Sequence, residues 1–305
     1  MENKAIIFVH GLASKPVKNQ IQKYWQKIVL NNICQIDCFT KENIFNFAYW
    51  ADCIPTHIPL NKKNIKNLEN SINNLIKLRK NFGSDFHIGA GESVKHFFAE
   101  KGVELLNIFT NAMTIKDNII NFYLDEIKLY TSDQYIADKI RKTLEKQLIS
   151  AWNKSKEVMI ISHSMGSIIS YDVLWRFSHS GDSFYKKYRK KRVKNFTTMG
   201  SPLGDNFVKN ILLNRKSSKR EKEYYPTNID VWHNYSALGD MVCFDESLAD
   251  DYMKNMKEFG FLKDYREYIN LYNPYKDDET PNPHKSYGYL IQPKLAKWIT
   301  EFLKK

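Results

Sequence analysis

The stretch Met159–Ser170, MIISHSMGSIIS, sets Ser-His-Ser-Met-Gly-Ser between two aliphatic runs. Burial alone is satisfied by an uninterrupted strand or helix, so the polar break has another use. A serine hydroxyl becomes a nucleophile only when a base takes its proton and a third group orients that base. Here Ser162, Ser164 and Gly166 alternate with His163 and Met165. That is the small-x-Ser-x-Gly form of a strand–turn–helix elbow. Its central serine is strained and presents its hydroxyl, and its small neighbours let strand and helix approach closely. The N-terminus of the following helix offers oriented N–H groups to a developing negative charge.

At this point the chain resembles the α/β-hydrolase family in its lipase and esterase branch, with Ser162 where the pattern usually carries Gly. The resemblance implies the order Ser, acid, His along the chain, with the partners in loops after strands. It implies Asp240 as the acid, in the Gly-Asp turn of VWHNYSALGDMVCF; Asp245 and Asp205 are alternatives, and an Asp in such a turn also bonds its own backbone. It implies His284 as the base, in NPHKSYGYL shortly before a C-terminal helix. His233 falls within an apolar run, His179 at the end of the helix after the serine, and His163 is expected to point elsewhere. FVHGLASKP matches the His-Gly-x signature of the family. By that likeness the amides of Leu12 and Met165 form the oxyanion hole. Gly11 and Gly166 support it sterically, and His10 is a structural loop residue rather than a second base.

These residues need elements to hold them. Five β-type runs stand out: AIIFV (5–9), IFNFAYW (44–50), EVMII (157–161), KNFTTM (194–199) and DVWHNYS (230–236). The first and third are continuously apolar, as in strands of a parallel sheet covered on both faces. Helical stripes lie between them: Ile21, Trp25, Ile28 and Val29; Ile136, Ile140, Leu144 and Leu148; and, behind Pro293, Leu295, Trp298, Ile299, Phe302 and Leu303. The alternation predicts an α/β architecture, and the resemblance makes it a three-layer α/β-hydrolase with a mostly parallel sheet. Residues 1–59 and 131–305 would form the core. Residues 60–130 have amphipathic segments and no strand, so they read as a helical insertion capping the site, with Phe97, Phe98, Ile108 and Phe109 as walls of an acyl pocket. HIGAGES (87–93) lacks a preceding strand and a Gly-Lys-Ser/Thr, and reads as an ordinary loop.

The chain has 305 residues, 43% hydrophobic and 14% aromatic, which supports a substantial core and excludes disorder as the main state. Its net charge of +12 favours an anionic contact. KKYRKKRVK (186–194) precedes a strand, so it should sit on the edge opposite the serine and is the candidate for peripheral contact with an anionic membrane. RKSSKREK (215–222) should lie on the serine's edge. Cys34, Cys38, Cys53 and Cys243 show no metal-site spacing. The N-terminal MENKAIIFVHG is no signal peptide, and no stretch reaches the about 18 apolar residues of a membrane span. The expectation is a cytoplasmic enzyme, at most peripheral to a membrane, needing neither metal nor cofactor and binding no nucleic acid. It would cleave carboxylic esters through an acyl-enzyme. Thioester hydrolysis and acyl transfer stay open on the same residues. A non-catalytic module docking on an anionic surface is the reading from another class, and a Ser at the elbow excludes an Asp-nucleophile dehalogenase.

Overall fold

Six strands lie side by side in a computed structural model that describes residues 3–12, 15–34, 44–81, 127–217, 220–243, 247–278 and 280–304. They are β1 (Lys4–Val9), β2 (Phe45–Ala48), β3 (Glu157–His163), β4 (Val193–Met199), β5 (Ile229–Ala237) and β6 (Asp264–Leu271), in the order β2-β1-β3-β4-β5-β6, and every neighbouring pair is parallel. A two-stranded hairpin, β7 (Lys276–Asp277) and β8 (Thr280–Pro281), stands apart. The main helices are α1 (Lys18–Ile33), α2 (Lys62–Asn81), α3 (Gln134–Asn153), α4 (Met165–His179), α5 (Asn206–Ile211), α6 (Ser286–Leu290) and α7 (Pro293–Lys304).

Strand alternation divides the core in two. Ile6, Phe8, Met159 and Ile161 face one apolar cluster with Ile21, Trp25 and Ile28 of α1, Leu68, Ile72 and Leu75 of α2, and Leu295 and Ile299 of α7. Ile7, Val9, Val158 and Ile160 face the other, with Ile140, Leu144 and Leu148 of α3 and Ile168, Ile169 and Val173 of α4. The result is a parallel sheet between two helical layers. Each large aliphatic side chain fully buried this way contributes roughly 1.5–3 kcal/mol before conformational entropy is charged against it. The α3 stripe is entered through a proper cap: Asp133 accepts the Ile136 N–H at 3.0 Å.

The sixth strand was not among the apolar runs. DYREYINL is a sheet edge, half exposed along its length, so its residues alternate with charges instead of forming an aliphatic block. The head of the expected insertion is α2, whose Leu68, Ile72 and Leu75 are buried in the same cluster as the sheet. Ile127 and Tyr130, in a helical turn at 127–132, are buried against the opposite layer. The suggested pocket walls Phe97, Phe98, Ile108 and Phe109, and the loop 87–93, lie outside the described residues.

The basic run 186–194 leads into β4 and so lies at the N-terminal edge of the sheet, as expected. Of the second basic run, the described end at 220–222 does not lie on the serine's edge. After β4 the chain returns along α4: Trp175 Nε1–H donates to Glu223 O (2.7 Å), Tyr171 Oη–H to Tyr224 O (2.9 Å), and the Thr227 N–H to Ser178 Oγ (2.9 Å). Residues 220–227 therefore sit toward the far end of α4, away from Ser164, because the chain must travel back to start β5. Among the described residues no helix is long and apolar enough to cross a membrane.

β1 is followed by β2 on one side and, after the crossover, β3 lies on its other side. Connections diverge at this point, and the crevice beyond the C-terminal ends of β1 and β3 is where open α/β sheets hold ligands.

Candidate active site

Ser164 stands in that crevice, between the last residue of β3 and the first of α4, with φ 54° and ψ −130°. A non-glycine residue there costs about 1–3 kcal/mol and persists only when its surroundings over-determine it. They do so here. The Ser164 N–H donates to Met199 O (3.0 Å), the Ser167 N–H to Ser164 O (2.8 Å), and Ser162 Oγ–H to Thr197 O on the next strand (3.0 Å). The flanking glycines are steric necessities. A Cβ on Gly166 would stand 2.5 Å from Val9 O, and one on Gly11 would stand 2.6 Å from Ser164 Cβ.

Asp240 follows β5 in a tight turn closed by its own N–H to Ala237 O (3.1 Å). His284 arrives from the loop before α6. Its Nε2 is 3.0 Å from Ser164 Oγ, and its Nδ1 is 2.9 and 3.0 Å from the two Asp240 oxygens. A carboxylate facing Nδ1 fixes the proton on that nitrogen and leaves Nε2 as acceptor toward the serine. Asp240 also accepts the Val242 N–H (3.0 Å) and the Tyr289 hydroxyl (2.6 Å). Burial pushes the Asp240 carboxyl up, but His284, Tyr289 and the Val242 amide outweigh it and hold it below the usual carboxylate range. Burial first, and Asp240 second, push the Tyr289 phenol well up, so it stays a neutral donor.

His163 does not point away, as the sequence suggested. It is buried, its ring centroid lies 4.7 Å from that of His284, and its Nε2 meets His284 O at 2.6 Å. That carbonyl can only accept, so Nε2 carries the proton. Burial, and then His284, lower its pKa far enough to keep the ring neutral. His10 stacks on Trp50 at 4.7 Å, accepts the Trp50 N–H on Nε2 (3.0 Å), accepts Trp50 Nε1–H on its carbonyl (2.8 Å), and also lines the cavity. Three of the other candidates have partners elsewhere. Asp205 caps α5 through the Val208 N–H (3.0 Å), His233 stacks on Trp298 at 3.7 Å, and His179 bonds Tyr225 O (2.8 Å) at the far end of α4. Asp245 lies outside the described residues.

Two residues beside Asp240 carry no expectation from the sequence: Tyr289 and Gly200. Gly200 follows β4 with φ +54°, and a Cβ there would stand 2.9 Å from Asp240 Oδ2. The Met-Gly-Ser-Pro after that strand was the available signal for it.

Ser164 is 1% exposed, so its hydroxyl is not presented to bulk solvent but to a cavity of about 400 Å³. Gly11, Leu12, His163, Ser164 and His284 line one part of it, and Ile21 and Trp25 of α1 and Leu68 of α2 line another. Met165 packs into the apolar core beneath. Among the described residues no group of three or more His, Cys, Asp or Glu is arranged to hold a metal ion. Chemically, the arrangement can pass a proton from an alcohol to an imidazole backed by a carboxylate, at the positive end of a 15-residue helix. Comparison with protein-family models found no match to this chain, and none was found among curated proteins or solved structures.

Proposed function

We propose that this chain is a serine hydrolase of α/β-hydrolase type that cleaves carboxylic esters through an acyl-enzyme. The observation that carries the reading is the unbroken chain from Ser164 Oγ through His284 (3.0 Å) to Asp240 (2.9 Å) at the wall of a cavity. His284 Nε2 takes the hydroxyl proton as Ser164 Oγ attacks the ester carbonyl. The amides of Leu12 and Met165 hold the oxyanion, and Asp240 stabilises the imidazolium without taking its proton. His284 then protonates the departing alkoxide. A water, giving its proton to the same nitrogen, attacks the acyl-enzyme, and collapse returns the acid and free Ser164. Thioesters enter by the same first half, and an acceptor alcohol in place of water would make the chain an acyltransferase.

Release of p-nitrophenol from p-nitrophenyl butyrate tests this. Ser164→Ala and His284→Ala should each lower kcat by about 10⁴-fold or more, and Asp240→Asn by about 10³–10⁴-fold. Turnover within tenfold of wild type in Ser164→Ala would end the proposal.

A further inference from the structure

The cavity beside Ser164 has a mixed lining. Leu12, Pro16, Ile21 and Trp25 are apolar, while Asp277, Asp278 and Asn282 are polar. α2 contributes Asn64, Asn67, Leu68 and Ser71, spaced i, i+3, i+4, i+7 and so on one helix face. Of these four only Leu68 is apolar, and it is 6% exposed. Its neighbours on that face tie α2 to the β7–β8 hairpin: Ser71 Oγ–H donates to Lys276 O (3.1 Å) and Asn67 Nδ2–H to Asp278 Oδ2 (3.3 Å). The seam between α2 and the hairpin thus borders the cavity. Both lysines in the lining have partners inside the protein, Lys15 at Leu12 O and Lys285 at Asp277 Oδ1 (3.5 Å).

Resting on the ester-hydrolase reading, we propose that the acyl part of the substrate is one unbranched aliphatic chain of medium length. It lies between α1 and α2, and Leu68 sets the longest chain accepted. The volume of about 400 Å³ is near the low end of the range of about 300–1,000 Å³ for small-molecule pockets, so the cavity holds one chain at a time. The length gauge is in the α1–α2 cleft.

The test is kcat/KM for a series of p-nitrophenyl esters from acetate to hexadecanoate, below their micellar concentrations. Burying each added methylene should raise kcat/KM about fourfold until the cavity is full, after which it falls. Leu68→Trp should move the maximum to shorter chains and Leu68→Ala to longer ones. Opposite shifts from one position cannot come from partial unfolding. A flat profile, or a maximum in the same place in both variants, overturns the inference while leaving ester hydrolysis standing, provided Ser164→Ala abolishes turnover. Turnover that survives Ser164→Ala, or none on any ester, removes the hydrolase reading and this inference with it.

Discussion

Tyr289 and His163 surround the proposed relay with neutral donors. Tyr289 donates a hydrogen bond to Asp240 Oδ2 (2.6 Å) and accepts one from the Ala237 N–H (2.9 Å), so it locks both the carboxylate and the end of β5. Removing a hydrogen bond to a charged group costs about 1.5–3 kcal/mol, and some of that charge is felt only once the imidazole is protonated. Tyr289→Phe should therefore lower kcat about 10- to 100-fold with little change in KM, measured by steady-state ester hydrolysis. A change confined to KM would assign Tyr289 to the cavity wall instead. Ser164, Gly11 and Gly166 were legible in the sequence because small residues at fixed spacing answer a local steric demand. Asp240 and His284 followed from chain order within a resemblance. Tyr289 was not legible: it lies 49 residues from its partner, and no local pattern distinguishes it from any other buried tyrosine. His163 was misjudged because its direction is set by the loop carrying His284, not by its own neighbours.

Strands β1 and β3 announced themselves by unbroken apolar runs, since both are buried on every side. The edge strand β6 did not, and the same edge logic hid how α2 divides its residues between core and cavity. The N-terminal ends of the strands carry a different feature. Asp230 at the start of β5 is buried and accepts Arg192 Nε, Lys194 Nζ (3.2 Å) and Lys263 Nζ (3.3 Å), while Lys4 pairs with Glu157. Burial pushes the Asp230 carboxyl up, but these three cations outweigh it and hold it below its ordinary value. A carboxyl whose pKa is lower in the folded than in the unfolded chain stabilises the fold above the unfolded value of about 3.9. That stabilisation is lost as pH falls through the folded value. Asp230→Asn should thus lower the unfolding free energy by about 1–3 kcal/mol at pH 7. Its deficit against wild type should shrink below about pH 4 in urea titrations. An equal deficit at both pH values would mean that the side chain acts through packing, not charge.

For the whole chain, strand–helix alternation was enough to read a parallel sheet between helical layers, since each strand needs a crossover to return. The reversal of strand order between β1 and β3 was not, because no local pattern in the sequence says on which side of β1 the strand β2 pairs. That reversal places Gly11 beside Ser164 and opens the cavity between α1 and α2. The sequence pointed instead to Phe97, Phe98, Ile108 and Phe109, which lie outside the described residues. Charge placement separates two surfaces. The run 186–194 is at the opposite edge from Ser164, and two of its cations, Arg192 and Lys194, are spent on Asp230. A membrane held by that run would face away from the cavity. Adding anionic vesicles should therefore leave kcat/KM for a soluble butyrate ester within about twofold, because the run's remaining charge is screened within about 8–10 Å at physiological salt.

The chemistry itself is read most directly by reacting the protein with a fluorophosphonate and mapping the adduct by peptide mass spectrometry. One adduct on Ser164, formed quickly in the wild type and lost in His284→Ala, is the predicted result. No adduct, an adduct on Ser162 or Ser167, or labelling indifferent to His284 would contradict the assignment.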